Sequence, residues 1–341
     1  MTVTISFSKS ILDNICKLEK NCCSIYSPLN ELFCSLHVLL NPQGHGLMAS
    51  WAIDTKKKME SNLLQELQYF SPLYSNRIPN FIMEEIILEA SDIELQLSKL
   101  GSSFFDKKTE FLITELKNEF SSTKLVTDLI DNDNLVFLKL FAFLKEYNEN
   151  YFRDYTEKTK LLATLHDESI KQNNIIQASG YEHFITSIDS NQIYWIDNEI
   201  KIQTKMEKTF SLNEGERIYF IPSSVTWPHV RVNRLSEGIT ITYNINSRDI
   251  GNFSRRVMAR MFKVLSDPVR IDILVYLNES QKTTKNLSQI LNISESTISH
   301  HLGLMKELGL VKKRREGKHV FYGTTNKVIN LIPNFYYNAK K

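Results

Sequence analysis

Two groups of residues near the C-terminus have the types and spacing to hold a polyanion. Ser296, Thr297, Ser299 and His300 fall within a stretch of seven residues ending at Leu302. Short hydroxyls and an imidazole donate and accept hydrogen bonds of the kind that base edges and phosphates offer. Further on, Lys312, Lys313, Arg314 and Arg315 are consecutive, and Lys318 follows across Glu316-Gly317. A charge run alone is usually a solvated surface. The elements that precede this one give it a different meaning.

If Ile298 points inward, Leu302 and Met305 fall beside it on a helix, while Ser296, His300 and Gly303 point away and Thr297 and Ser299 flank them. His301 lies closer to the apolar stripe and reads as a packing or phosphate-contacting residue. Gly309 closes that helix, and Leu310 to Arg315 with Lys318 to Tyr322 read as a hairpin about Glu316-Gly317. Upstream, Phe253, Val257, Met261 and Leu265 share one helical face, and Ser266-Asp267-Pro268 separates that helix from the next. Ile271, Leu274, Val275 and Leu277 are expected on the buried side of the second helix. Thr284 or Asn286 opens a third, with Leu287, Ile290 and Leu291 facing the core, and Asn292-Ile293-Ser294 turns into the fourth. A polar-faced helix followed by a basic hairpin is a helix-turn-helix with a wing, and its natural partner is double-stranded DNA.

Lys263-Val264-Leu265-Ser266-Asp267-Pro268-Val269-Arg270, Ser296-Thr297-Ile298-Ser299-His300-His301-Leu302, Gly309-Leu310-Val311 and Arg314-Arg315-Glu316-Gly317-Lys318 occur in that order. Over about residues 253 to 326 the chain thereby resembles the ArsR-type winged-helix repressors. The resemblance implies a homodimer on a pseudo-palindromic operator, released by an effector. It also implies dimer contacts through the first and last helices, here Phe253 to Leu265 and Asn326 to Asn338, with a bend at Pro333. Many such proteins hold a metal through cysteines on the helix before the recognition helix, or through His and carboxylates on the last helix. Thr283 to Leu291 contains no Cys, and Asn326 to Lys341 contains no His, Asp, Glu or Cys. No metal and no other cofactor is therefore expected there.

The other chemistry-bearing cluster is at the opposite end. Cys16, Cys22, Cys23 and Cys34 all lie in the first tenth of the chain, unlike a disulfide framework spread through a secreted fold, so reduced thiols are expected. Cys34 and His37 are three apart on one helix face with Cys22-Cys23 close in sequence, which leaves open a soft-metal or redox role beside ordinary burial. Gly44-His45-Gly46 reads as a helix-terminating loop. Ser27-Pro28, Cys34-Ser35-Leu36-His37, Asn41-Pro42, His45 and Trp51 also resemble an N-terminal domain of unassigned function that precedes the winged helix in some ArsR-like regulators. That likeness brings no ligand with it, but it marks the long N-terminal part as a sensory or dimerising body whose effector is unknown.

With 341 residues, 42% hydrophobic and 23% charged, the chain has the composition of an ordinary globular protein of two or three domains. The net charge of +2 hides an asymmetry. Residues 253 to 341 hold 16 Lys and Arg against 6 Asp and Glu, a balance of +10, whereas residues 1 to 252 carry −8. No apolar run approaches the ~20 residues of a membrane span. Met1 to Ser10 lacks the pattern of a secretory signal, so a cytoplasmic protein is expected. Phosphate-cradling glycine loops, Gly-x-Ser-x-Gly and His-Glu-x-x-His are absent, which argues against an enzyme.

The fold class read from these patterns is α+β: a helical N-terminal region, then antiparallel strands, then the winged helix-turn-helix. Helical spacing runs through Ser27 to Leu40, Ser61 to Tyr69, Phe81 to Leu100, Lys107 to Phe120, and Leu135 to about Ile176 with a break near Asn148 to Asn150. Strands are expected at 193–196, 200–202, 217–221, 229–232 and 239–243, with Pro222 and Pro228 outside central ladder positions. The aromatic residues Tyr194, Trp195, Tyr219, Phe220 and Trp227 fit either a pocket or plain core. The expected domains are 1–180, mainly helical; 181–247, the β-rich part of the same N-terminal body; and 253–341, the DNA-binding domain. A role as activator instead of repressor, or a winged helix serving protein or RNA contacts, stays open at this level.

Overall fold

The computed structural model describes residues 1–325 apart from 13–20, 43–44, 46–47, 89–91, 106–108, 121–122, 179–180, 189–191, 205–206, 227–228, 246–254 and 317–318. Cys16, Gly44, Gly46, Trp227, Pro228, Lys318 and the expected last helix lie outside the described residues. The chain divides into two compact units, Met1–Arg248 and Asp249–Lys341.

The helices of the first unit are α1 (Lys9–Leu12), α2 (Pro28–Leu40), α3 (Ala49–Lys58), α4 (Ser61–Tyr69), α5 (Asn80–Ile86), α6 (Ile93–Phe105), α7 (Thr109–Phe120), α8 (Lys124–Tyr147), α9 (Arg153–Thr159), α10 (Leu161–Ala178) and α11 (Tyr181–Ser187). Helix α2 starts where Ser27 Oγ accepts from Asn30 N at 3.2 Å, with Pro28 at the first position. Its spacing reads as amphipathic, yet Leu29, Leu32, Phe33, Leu36, Val38 and Leu39 and also Asn30, Glu31 and Ser35 are buried. A helix enclosed on nearly every side must satisfy its polar groups from its neighbours. Leu29 N donates to Gln96 Oε1 at 2.8 Å, and Ser35 shares a 2.8 Å hydrogen bond with Tyr147.

The break expected near residue 148 takes another form. Asn148–Phe152 winds as one π-helical turn between α8 and α9, and the stretch is interrupted instead at Lys160, left-handed at φ +51°; α8 itself is broken earlier, at Asn132, whose φ of −158° is not helical. There Asn132 Oδ1 accepts from Leu135 N at 3.1 Å and caps the second half of the helix. The single stretch read from Phe81 to Leu100 is two helices, α5 and α6.

Strands β1 (Thr2–Phe7), β2 (Cys22–Ser24), β3 (Ile193–Ile196), β4 (Glu199–Gln203), β5 (Lys208–Leu212), β6 (Arg217–Ser223), β7 (Arg231–Leu235) and β8 (Gly238–Asn244) form two four-stranded sheets. Their orders are β3-β4-β1-β5 and β2-β6-β8-β7. Ile5, Ile200 and Ile202 from one sheet and Ile218, Phe220, Ile239 and Ile241 from the other line one core with Phe184 of α11. Trp195 leans on Phe7 with ring centroids 5.6 Å apart, and Phe220 is fully buried between Phe184 and Tyr243.

The α+β order is as read, but the pairing is mixed. Pairs β1·β4, β3·β4 and β7·β8 are antiparallel, whereas β1·β5, β2·β6 and β6·β8 are parallel. β1, from the start of the chain, lies between β4 and β5, and β2 joins the edge beside β6, while β6 and β8 run parallel because the intervening β7 takes the far edge beyond β8. Pro222 corrects a second expectation. It pairs with Tyr243 inside the β6·β8 ladder of a central strand. Phe220 O accepts from Ile25 N on the β2 side. The period of two then puts the Pro222 nitrogen on that same side, past the end of the three-residue β2, where no ladder bond is lost.

The second unit contains α12 (Arg255–Leu265), α13 (Pro268–Glu279), α14 (Thr284–Leu291), α15 (Glu295–Glu307), β9 (Val311–Glu316) and β10 (His319–Thr324). Its core gathers Met261, Ile273, Leu274, Leu277, Leu287, Ile298, Leu302, Met305, Leu310 and Val311. Three assignments from spacing are corrected: Ile271, Val275 and Ile290 are exposed. On α13 the packed face is set by Ile273, Leu274 and Leu277, which turns Ile271 and Val275 outward.

Gly238 opens β8 against β6, and a Cβ there would lie 2.2 Å from the Arg217 carbonyl oxygen. Gly238→Ala is expected to destabilise the first unit by about 2–3 kcal/mol, since backbone and not a flexible side chain must yield. Urea unfolding of the full chain reads this as a lower midpoint at unchanged slope.

Candidate nucleic-acid interface

The polar-faced helix is built from its caps inward. Asp267 accepts from Val269 N at 2.9 Å and, with Pro268, starts α13. A reciprocal capping box of Thr283 and Asn286 starts α14. Asn292, at φ +53°, ends α14 in the left-handed region that asparagine tolerates. Ser294 then caps α15, accepting from Thr297 N at 3.2 Å. The turn is thereby set at both ends, and α15 emerges with Glu295, Ser296 and Thr297 of its first turn exposed.

Ile298, Leu302 and Met305 are all 0% exposed. Burying each is worth about 1.5–3 kcal/mol, so the rotation of α15 about its axis is strongly specified. The consequence is that Ser296, Thr297, Ser299, His300 and Gly303 are exposed. Ser294 Oγ lies 2.9 Å from Ser296 Oγ and 2.8 Å from Thr297 Oγ1, which groups three hydroxyls at the positive end of the helix.

His301 is buried, facing the opposite way from His300. Its Nδ1 lies 3.9 Å from Asp267 Oδ2 and 3.4 Å from Arg270 Nη1. Burial pushes its imidazole below the ordinary histidine value, while the Asp267 carboxylate pulls the other way. Arg270 also donates from Nε to Val264 O and sits 3.4 Å from Asp267. This cluster ties α12, α13 and α15 together behind the exposed face.

Gly309, at φ +69°, closes α15, with Leu310 N donating to Met305 O at 2.9 Å. Leu310 and Val311 are buried, and β9 then runs outward as an antiparallel pair with β10, Arg315 opposite Val320 and Lys313 opposite Tyr322. Lys312, Lys313, Arg314 and Arg315 are all exposed on β9. One feature was invisible in the spacing: Lys282 and Tyr322 exchange backbone hydrogen bonds of 3.1 and 2.8 Å, which fastens the hairpin to the segment that leads into α14. Exposed Lys285, in the first turn of α14, adds a cation near that junction.

The N-terminal thiols and histidines are placed differently. Cys22 and Cys34 are buried free thiols and Cys23 is half-buried. Burial pushes the Cys34 thiol up to about 12, against the pull of the Arg231 guanidinium. His37 shares a 2.7 Å hydrogen bond between Nδ1 and Tyr74 O, and burial followed by the charge of Arg231 lowers its pKa to about 3. His45 is buried with its ring edge-on to His37 at 5.0 Å and to His229 at 5.5 Å. Among the described residues, no group of three or more His, Cys, Asp or Glu is placed to hold a metal ion, and no helix is long and apolar enough to cross a membrane.

Residues 267–313 match the family model described as bacterial regulatory protein, arsR family, and residues 10–103 match a family of unknown function, DUF5937. Over 90 residues the chain is 38% identical to a cadmium resistance transcriptional regulatory protein CadC homolog from Staphylococcus aureus, covering 26% of this chain and 74% of that protein. The transcriptional repressor SdpR of Bacillus subtilis is 34% identical over 82 residues, 23% of this chain and 91% of that one. The crystal structure of the transcriptional repressor BigR from Xylella fastidiosa aligns at 31% identity over 24% of this chain and 86% of its own, with a TM-score of 0.20.

Ser294→Ala removes the cap of α15 and is expected to cost about 1 kcal/mol, read by thermal unfolding of the second unit's transition. His37 supplies a pH test. With its folded pKa near 3 and an ordinary value of 6.5, the unfolded chain holds the extra proton between them. Stability therefore falls as pH drops below about 6.5. In His37→Gln the fall is expected to be shallower, measured by urea unfolding at a series of pH values.

Proposed function

The chain belongs to the ArsR family of bacterial regulatory proteins, and we propose that it acts as a homodimeric transcriptional repressor on a pseudo-palindromic operator. The observation that carries this reading is the exposed group of Ser296, Thr297, Ser299 and His300 on a helix whose other face is locked into the core. The major groove admits a helix presented in this way, and side chains at its N-terminal end reach base edges. Lys312, Lys313, Arg314, Arg315 and Lys318 hold phosphates on either side, positioning the reader without reading sequence.

Dimer contacts run through 253–265 and 326–338. Residues 1–180 and 181–247 form the sensory body, and a change there on effector binding alters the dimer and releases DNA. The protein works in the cytoplasm and is not catalytic; the relatives over the winged helix are regulators.

A mobility-shift titration at several salt concentrations tests the reading. Wild-type binding to duplex weakens steeply with salt, and Arg314→Ala with Arg315→Ala weakens binding to every duplex and reduces the salt slope by about 2. Ser299→Ala or His300→Ala instead changes which operator is preferred, at about 1–3 kcal/mol for a lost base contact. Binding without salt dependence, or a preference for RNA over duplex DNA, contradicts the proposal.

A further inference from the structure

A cleft of about 580 Å³ opens in the first unit between α5, α7 and the turn from β7 to β8, with Asn80, Phe81, Glu84, Phe111, Glu115 and Ser236 in its lining. Openings of this size hold small molecules. The walls are fastened to one another without a ligand: Ser236 Oγ donates to Glu84 Oε1 at 2.9 Å, Asn80 Nδ2 to Arg234 O at 2.8 Å, and Asn80 N to Glu115 Oε2 at 2.8 Å. Helices and sheet both contribute to it.

The charge of the cleft selects the sign of its occupant. Arg77, also in the lining, is held by two carboxylates, with Nη2 2.9 Å from Glu115 Oε1 and Nε 2.5 Å from Glu119 Oε1. Adding Glu84 sets one cation against three carboxylates, a balance of −2, and among the described residues the lining has no other Lys or Arg. A cation is favoured there over an anion. Asn80 and Glu84 lie one turn apart on α5, which puts their side chains on one face about 5–6 Å apart. Asn80 Oδ1 is buried without a hydrogen-bond partner, an acceptor that still lacks a donor. The apolar part of the lining is aromatic. Phe81 is buried against Phe104, ring centroids 5.2 Å apart, whereas Phe111 is 79% exposed. A lone exposed phenyl is ordinary on a plain surface, but in the lining of an acidic cleft it offers a π-face to a ring or a cation.

We propose that this cleft binds a small aromatic amine, its ammonium group donating to the Glu84 carboxylate and to Asn80 Oδ1, and its ring packing against Phe81 and Phe111. Because α5, α7 and the β7–β8 turn all contribute, an occupant changes how firmly the helices hold the sheet. That regulatory meaning rests on reading the first unit as the effector-receiving body, but the binding itself does not, so it is measured without DNA.

The test is isothermal titration of phenethylamine, tyramine and tryptamine into the full chain, with phenethyl alcohol and phenylacetate as the neutral and anionic counterparts. At least one amine is expected to bind one to one with a Kd of about 1 mM or tighter, as molecules of this size allow. Both counterparts bind at least about tenfold more weakly, since each lacks the charged donor. Glu84→Gln weakens the amine about tenfold, and Phe111→Ala weakens it about two- to fivefold. Ile130→Ala, which trims an exposed apolar side chain outside the cleft, leaves binding unchanged. Phe111→Ala alters an exposed position and folds like the wild type, so it carries the test if Glu84→Gln unfolds. The proposal is overturned if none of the three amines binds, or if the alcohol or the acid binds as well as the amine. It is equally overturned if the folded variants bind like the wild type. Each of these results leaves the DNA-binding reading untouched, and a failure to shift duplex DNA leaves the affinity of the cleft measurable.

Discussion

Everything the second unit presents to its surroundings depends on the burial of Ile298, Leu302 and Met305. These side chains cover a stripe on α15 with spacings of four and three, and their removal from water fixes the helix about its axis. Once that rotation is set, Ser296, Thr297, Ser299 and His300 have no place but the surface. The caps at Asp267, Thr283 and Ser294 fix where each helix begins, and the cluster of buried His301 with half-buried Asp267 and Arg270 holds three helices in register behind the exposed face. A group of hydroxyls and one imidazole is held at the surface by apolar packing on the other side of the same helix.

The first unit obeys a different constraint. Helix α2 is enclosed so fully that its polar residues cannot reach bulk water, and each must find its partner inside. Ser35 with Tyr147 and Leu29 with Gln96 meet this requirement. Glu31 meets it through Ser224. The same enclosure keeps Cys34 as a thiol and His37 neutral.

Most of the second unit was legible in the sequence because its signals are local. Caps, helical spacing, the closing Gly309 and a hairpin of adjacent strands all act within a few residues of one another. The face of α13 was misread because Ile271, Val275, Leu274 and Leu277 are all apolar, and spacing alone does not say which of two apolar sides is covered. In the first unit most of the helices and later strands were visible, but β1, β2 and β5 were not placed, nor were α1, α3 and α11. Thr2 to Phe7 alternates in the manner of a strand, with Val3, Ile5 and Phe7 buried, yet its partners β4 and β5 lie about two hundred residues away. Nothing local specifies a parallel pairing of that range, nor that Pro222 sits where β2 has already ended. The serine partner of Glu31 was hidden for the same reason: 193 residues separate the two in the chain.

The central claim is that the exposed face of α15 enters the major groove of duplex DNA. Methylation interference on a selected operator tests it most directly, because guanine N7 lies in the major groove and adenine N3 in the minor. The account predicts that methylation at guanine N7 blocks binding in two patches about one helical turn apart, as two α15 helices of a dimer require. Interference confined to adenine N3, or none at either groove while binding persists, contradicts it.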